Sequence, residues 1–213
     1  MGHKFADITF TDEVKNIQSE QGSRNNYGRW EDKEDFNHVL SQREADFLGE
    51  RDSFYMASVN AAGWPYVQHR GGPAGFLKVL DEKTIGFADF RGNRQYVSTG
   101  NFASNDRVSL ILMDYANRRR LKLLGRVRVV SPDDIETLNR LELGNSLEPE
   151  NSLERGKTSA VVERGFLIHV EAFDWNCPQH ITRRFTEAQV EQMMSALVEE
   201  NRILKAAACV EKK

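Results

Sequence analysis

Residues 65–101 read PYVQHRGGPAGFLKVLDEKTIGFADFRGNRQYVSTGN. Two strand-like runs are joined by a charged turn, Asp81-Glu82-Lys83, and each sets small residues beside cationic or hydrogen-bonding ones. In the first, Gln68-His69-Arg70 precedes Gly71-Gly72. In the second, Asp89-Phe90-Arg91 runs into Gly92-Asn93-Arg94-Gln95, with Ser98 and Asn101 beyond. Glycine lets a backbone approach a ligand closely, and the planar fork of arginine matches phosphate or carboxylate. Gly-Asn-Arg-Gln directly after a strand therefore reads as a phosphate cradle. A surface β-turn with a solvated arginine is the competing reading of the same residues.

Outward from this stretch the chain alternates between strand and helix signals. Strands are expected at 53–59, 64–68, 75–80, 84–88, 108–113, 120–130 and 160–173. The run 108–113 is the most apolar and reads as central. The run 120–130 alternates Lys or Arg with apolar residues over much of its length, as a strand with one wet face does. Residues 101–106 read as a polar break. Phe5, Ile8 and Phe10 form an irregular apolar arm, and Thr11-Asp12 caps a helix through Gln18. Ser41 and Glu44 have capping-box spacing ahead of a helix ending at Gly49. Ser131-Pro132-Asp133-Asp134 opens another, with Ile135, Leu138, Leu141 and Leu143 on its apolar face. Residues 145–157 are polar, and 175–180 are turn-rich. Thr186-Glu187 starts a final helix carrying Val190, Met193, Met194, Leu197, Ile203 and Leu204. Tyr27, Trp30 and Phe36 fold back on the core, line a pocket or meet a second subunit.

This order predicts a mainly β chain with flanking helices, six or seven antiparallel strands forming a small closed barrel. One domain spans 1–213: a helical arm at 1–50, a barrel at 52–175 with a helical insertion at 131–143, and a turn and helix at 176–213.

Composition narrows the function. The 213 residues are 39% hydrophobic and 29% charged, so the chain is globular. A net charge of −3 gives no general drive toward nucleic acid or an anionic membrane. No apolar run nears the roughly 20 residues of a spanning helix, and no signal-peptide core follows Met1, which points to the cytoplasm. Cys177 and Cys209 read as free thiols. The five histidines are scattered, and the Cys177–His180 spacing alone makes no zinc site. Walker, GxGxxG and GxSxG motifs are absent, and no nucleophilic triad stands out. A chain without its own acid, base and nucleophile signals relies on a cofactor for hard chemistry.

The order Gly63-Trp64-Pro65, Gln68-His69-Arg70-Gly71-Gly72-Pro73, Gly75-Phe76-Leu77, Asp89-Phe90-Arg91-Gly92-Asn93-Arg94, Gly100-Asn101 and Arg107-Val108-Ser109-Leu110 resembles the pyridoxamine 5'-phosphate oxidase-like family of flavin mononucleotide (FMN) binding split barrels. The resemblance spans residues 52–130 and extends more loosely to Phe185. It implies a six- to seven-stranded antiparallel split β-barrel and a homodimer with FMN at the interface. Gln68, His69, Arg70, Gly71 and Gly72 would follow the ring and ribityl chain, with Ala88 and Asp89 near the ribityl. Arg94 and Gln95 match the phosphate-binding pair, although the family often has Lys where Gln95 stands. Arg91, Asn93, Ser98 or a partner arginine near Arg119 would supplement them. Arg70 or Arg119 would face the flavin pyrimidine, and Trp175 either touches the flavin or packs in a core or interface. The implied activity is FMN-dependent transfer of hydride or electrons between a nicotinamide nucleotide or small organic substrate and an acceptor. The alternatives are a non-catalytic flavin store or sensor and a haem-binding split barrel. Pyridoxamine phosphate oxidation itself fits less well, because a long amphipathic helix replaces the Arg-Leu-x-Pro ending of the true oxidases.

Overall fold

The computed structural model describes residues 3–31, 36–142, 161–176 and 178–210. Seven strands form one sheet: β1 (Ser53–Val59), β2 (Pro65–Gly71), β3 (Lys78–Asp81), β4 (Thr84–Phe90), β5 (Arg107–Asp114), β6 (Arg119–Val130) and β7 (Val162–Asn176). Their spatial order is β2-β1-β5-β6-β7-β4-β3. The helices are α1 (Lys4–Thr9), α2 (Asp12–Glu20), α3 (Arg24–Glu31), α4 (Gln42–Gly49), α5 (Val97–Ser104), α6 (Ile135–Glu142) and α7 (Glu187–Val210). This is the mainly β, antiparallel split-barrel class expected from the sequence.

The closed barrel needs correction. Among the described residues nothing pairs β2 with β3, so the sheet is open with two edges. The chain leaves β2 by folding back on the start of β1: Gly72 N–H donates to Asp52 O (2.9 Å) and Gly75 N–H to Arg51 O (3.3 Å). Gly75, at φ +80°, makes that reversal in a region other residues avoid. Phe76 and Leu77 then plunge into the core, so β3 begins at Lys78 and not at 75.

Strand periodicity builds the core. Phe54 and Met56 of β1, Leu110 and Leu112 of β5, Leu121 and Leu123 of β6, and Phe166 and Ile168 of β7 are all buried. Each fully buried side chain of this kind contributes about 1.5–3 kcal/mol. The rings of Phe54 and Phe76 stack at 5.6 Å, and Phe87 meets Phe166 at 5.3 Å. The β1–β2 hairpin turns on Asn60, whose Oδ1 accepts from Ala62 N–H and Trp64 N–H.

Helix starts follow local chemistry. Thr11 Oγ1 accepts from Val14 N–H to begin α2, and Ser41 and Glu44 form the expected capping box of α4. The supposed irregular arm is helical as α1, with Phe5 and Ala6 buried. Tyr27 and Trp30 fold back on this arm. His3 stacks on Trp30 at 4.6 Å, and Tyr27 meets Phe10 edge-on at 5.6 Å. Phe36 is exposed. The cap of α6 is Asp134, whose Oδ1 accepts from Thr137 N–H, and not Ser131, which spends its hydroxyl on Asp133 N–H within the preceding turn. Leu138 and Leu141 are buried as expected, whereas Ile135 is exposed. Leu143, residues 145–157 and Cys177 lie outside the described residues. The turn at 175–180 starts later than expected, because Trp175 and Asn176 still belong to β7.

The chain divides into two units, Met1–Met113 with Arg120–Cys177, and Asp114–Arg119 with Pro178–Lys213. The first contains the hydrophobic core. In the second, Asp114 accepts from Asn117 and Arg119, and the Arg184 guanidinium lies 4.9 Å from the Tyr115 ring centre. Among the described residues no helix is long and apolar enough to cross a membrane.

Candidate functional site

Strand β2 exposes alternate residues, leaving Tyr66, Gln68 and Arg70 half-buried on one face. These three border a cavity of about 250 Å³ with Asp89, Asn93, Arg94, Gln95, Ser98, Thr99 and Glu163. Seven sequence-expected residues therefore meet here: Gln68, Arg70, Asp89, Asn93, Arg94, Gln95 and Ser98. A smaller neighbouring cavity, about 180 Å³, takes His69, Gly71 and Ala88 and shares Arg70 and Asp89 with the first.

The wall after β4 is shaped by strain. Arg94 and Tyr96 adopt left-handed conformations, φ +60° and +54°, which non-glycine residues seldom take. Asn93 Oδ1 accepts from Gln95 N–H between them. These twists aim the chain into α5, where the sequence showed only a polar break. No side chain caps α5, and its first residues Val97, Ser98 and Thr99 line the cavity. The first N–H groups of a helix lack intrahelical partners and carry the positive end of its dipole, so they suit an anion.

A charged network forms beneath. Arg70 Nη1 donates to Asp89 Oδ1 at 2.6 Å, and Arg164 Nε lies 3.4 Å from Asp89 Oδ2. Arg91 and Tyr96 donate to Glu163 Oε1 (3.0 and 3.2 Å), and Arg164 Nη2 to Glu163 Oε2 (2.9 Å). Burial pushes the Asp89 carboxyl above its ordinary range, against the pull of Arg70 and Arg164. Burial also pulls Glu163 upward, but hydrogen bonds from Arg91, Tyr96 and Arg164 outweigh it and hold that carboxyl low. Arg94 differs from Arg70, Arg91 and Arg164. It donates to Tyr96 Oη at 3.2 Å and, among the described residues, is within 4 Å of no carboxylate.

These contacts change several expected roles. Arg70 is neutralised by Asp89, so it brings little free charge to a flavin pyrimidine. Arg91 is held by Glu163. Ser98 is buried and donates its hydroxyl proton to Gln68 Oε1 (2.9 Å), so it positions Gln68. Gly72 serves packing, since a Cβ there would lie 2.7 Å from the Phe76 ring. Arg119 is engaged by Asp114 in the second unit. Trp175 lines neither cavity: its Nε1–H donates to Glu44 Oε1 at 2.6 Å, Phe47 meets it edge-on, and the Arg43 guanidinium lies 4.4 Å over its ring. Tyr66, Tyr96, Thr99 and Glu163 were not anticipated. Glu163 comes from a strand about seventy residues further on, with no local motif to mark it.

The Arg94 guanidinium, with no carboxylate within 4 Å among the described residues, joins the Asn93 and Gln95 amides and the uncapped start of α5 in a donor set that fits a phosphate group. Among the described residues, no group of three or more His, Cys, Asp or Glu is placed to hold a metal ion.

Residues 40–153 match the family model described as pyridoxamine 5'-phosphate oxidase. No curated protein matches the chain. Among solved structures it is similar to HupZ of Group A Streptococcus, with 16% identity over 69% of this chain and 100% of that one, TM-score 0.47. It is also similar to an FMN-binding protein of Syntrophomonas wolfei, with 13% identity over 63% and 85% of the two chains, TM-score 0.45. General Stress Protein 26 of Bacillus anthracis gives 11% identity over 61% and 88%, TM-score 0.40.

Proposed function

The chain belongs to the pyridoxamine 5'-phosphate oxidase family, and from that premise we propose that it is an FMN-dependent oxidoreductase. It moves hydride or electrons between a nicotinamide nucleotide or small organic substrate and an acceptor. The observation that carries the reading is the uncapped start of α5 opening on the cavity beside Arg94. Arg94, Asn93, Gln95 and the first N–H groups of α5 bind the FMN phosphate. Gln68, oriented by Ser98, offers its amide to the polar part of the cofactor. The Arg70–Asp89–Arg164 network keeps β2, β4 and β7 in register under the site. Bound flavin supplies the hydride and electron chemistry that no side chain here provides.

The active form is a homodimer with FMN at the interface. Edge strand β2 and its hairpin expose Trp64 (73%) and Val67 (61%), and β1 exposes Tyr55 beside them. Exposed apolar residues on an unpaired edge suit a second subunit.

The test is an absorbance spectrum of the purified protein with the released chromophore identified by mass. Oxidised-flavin bands and the mass of FMN are expected, and Arg94→Ala should lose them. Oxidation of reduced nicotinamide well above that by free FMN separates an enzyme from a flavin store. A haem Soret band, or a colourless protein that takes up no added FMN, would overturn the assignment.

A further inference from the structure

A carboxylate stands in the cavity where an anion is to bind. Glu163 lines the same space as Asn93, Arg94 and Gln95. By charge alone it repels a phosphate placed there. Its place in β7 and its hydrogen bonds give it a second role.

Glu163 reaches the cavity through a bulge. Strands β4 and β7 pair Asp89 with Arg164 and then Phe90 with Val162, so the register shifts and Glu163 has no partner residue across the ladder. In a regular strand Glu163 and Arg164 would point to opposite faces. A bulge re-aims a side chain. Here Arg164 Nη2 donates to Glu163 Oε2 at 2.9 Å, while Arg164 Nε lies 3.4 Å from Asp89 Oδ2.

The other carboxylate oxygen holds the turn after β4. Glu163 Oε1 accepts from Arg91 Nε (3.0 Å) where that turn begins and from Tyr96 Oη (3.2 Å) where it ends. Tyr96 Oη itself accepts from Arg94 Nε at 3.2 Å, and the Arg164 guanidinium lies 4.7 Å over the Tyr96 ring. Arg94 bonds Tyr96 through Nε, the nitrogen that a fork of two terminal amino groups does not need. Arg94 and Tyr96 both have left-handed backbones, and such conformations persist only where the surroundings over-determine them. Tyr96 is also the residue immediately before α5. One carboxylate therefore ties down both ends of the turn, the Nε edge of Arg94 and the point where the α5 N–H groups begin.

We propose that Glu163 is a positioning residue of the phosphate site: acting through Tyr96, it locks residues 94–96 in the conformation that presents Arg94 and the α5 start to the phosphate of FMN. The identity of the anion rests on the flavin reading, and the lock rests on the bulge and its hydrogen bonds. Arg91 and Arg164 offset the charge of Glu163, which tempers its repulsion of the phosphate.

Flavin titrations and hydrogen exchange on the full-length protein test this. FMN and riboflavin differ only in the phosphate, so a lock on the phosphate site moves one and spares the other. Glu163→Ala should weaken FMN about tenfold or more and riboflavin by less than about twofold. Glu163→Gln keeps an acceptor oxygen for Tyr96 and should fall between wild type and Glu163→Ala. Tyr96→Phe breaks the same link at constant charge and should also weaken FMN. Combining it with Glu163→Ala should add little, because both act on one chain of bonds. In the flavin-free protein the amides of 93–99 should exchange about tenfold or more faster in Glu163→Ala, with the central residues of β4 and β7 unchanged. Tighter FMN binding by Glu163→Ala and Glu163→Gln would make the carboxylate a repelling charge only and overturn the proposal. Equal weakening of FMN and riboflavin would overturn it too, as would unchanged exchange at 93–99. A wild type that binds neither flavin would overturn the flavin reading, and the exchange rates of the flavin-free protein would still decide the lock.

Discussion

Asp89 shows what the charged residues around the cavity do. Its side chain is 12% exposed and receives Arg70 directly, with Arg164 close by. Removing it leaves a half-buried guanidinium unpaired over the Phe87 and Phe166 rings. Asp89→Ala should therefore destabilise the fold by about 2–4 kcal/mol, read from urea unfolding midpoints. Arg91→Ala removes a pair whose arginine is 56% exposed and should cost less than about 1 kcal/mol. Equal effects would mean that the network does not organise the sheet. Protonation tests the same scale. Burial pulls Glu44 upward, but the hydrogen bonds from Ser41 and Trp175 outweigh it and hold Glu44 below its ordinary 4.5. Its stabilisation is thus complete above pH 4.5 and is lost as pH falls through the lowered native value. Asp89, pushed upward, has the opposite sign, its charged form becoming a cost as pH rises through the raised value. Between pH 5 and pH 3 the wild type should lose more stability than Glu44→Gln, and parallel urea midpoints would refute the coupling.

Helix α6 docks where the sheet has no side chains. A Cβ on Gly165 would lie 2.6 Å from Leu141 Cδ1, and one on Gly86 would lie 2.8 Å from Leu141 Cδ2 and 2.9 Å from the Phe166 carbonyl oxygen. A leucine methyl can swing aside, whereas a paired strand carbonyl cannot. Gly86→Ala should therefore cost about 1–3 kcal/mol and more than Gly165→Ala, seen as the larger drop in Tm. The reverse order would mean that α6 adjusts less than the sheet does. Strand β1 and the hairpin to β2 were legible in the sequence because period-2 burial and the Asn60 turn are local signals. Helix α5 was not. Its sequence VSTGNFAS has no apolar period, only Ser98, Asn101 and Phe102 are buried, and it begins from two strained residues. Gly92-Asn93-Arg94-Gln95 read as a phosphate cradle or a plain surface turn, whereas the helix start that borders the same cavity is written in tertiary geometry. Trp175 shows the converse. A large aromatic in a family-like segment read equally as a flavin contact or a packed tryptophan, and what decides for packing is Glu44, 131 residues earlier and invisible to any local reading.

For the whole molecule, dimerisation and cofactor binding should be separable in one direction only. If FMN sits between two subunits, breaking the subunit contact removes half of each site, whereas breaking the phosphate contact leaves the subunits together. Val67→Arg puts a charge on the exposed edge strand β2 and should yield a monomer that also loses its flavin bands. Arg94→Ala should lose flavin and remain a dimer by light scattering. A ligand held only by the native state raises stability by mass action, so FMN at a hundred times its Kd should add about 2.7 kcal/mol to the wild type. The same addition should leave the Tm of both variants nearly unchanged. A Val67→Arg protein that stays yellow as a monomer would place the whole binding site within one chain, where the α5 start, Arg94 and Gln68 already stand together.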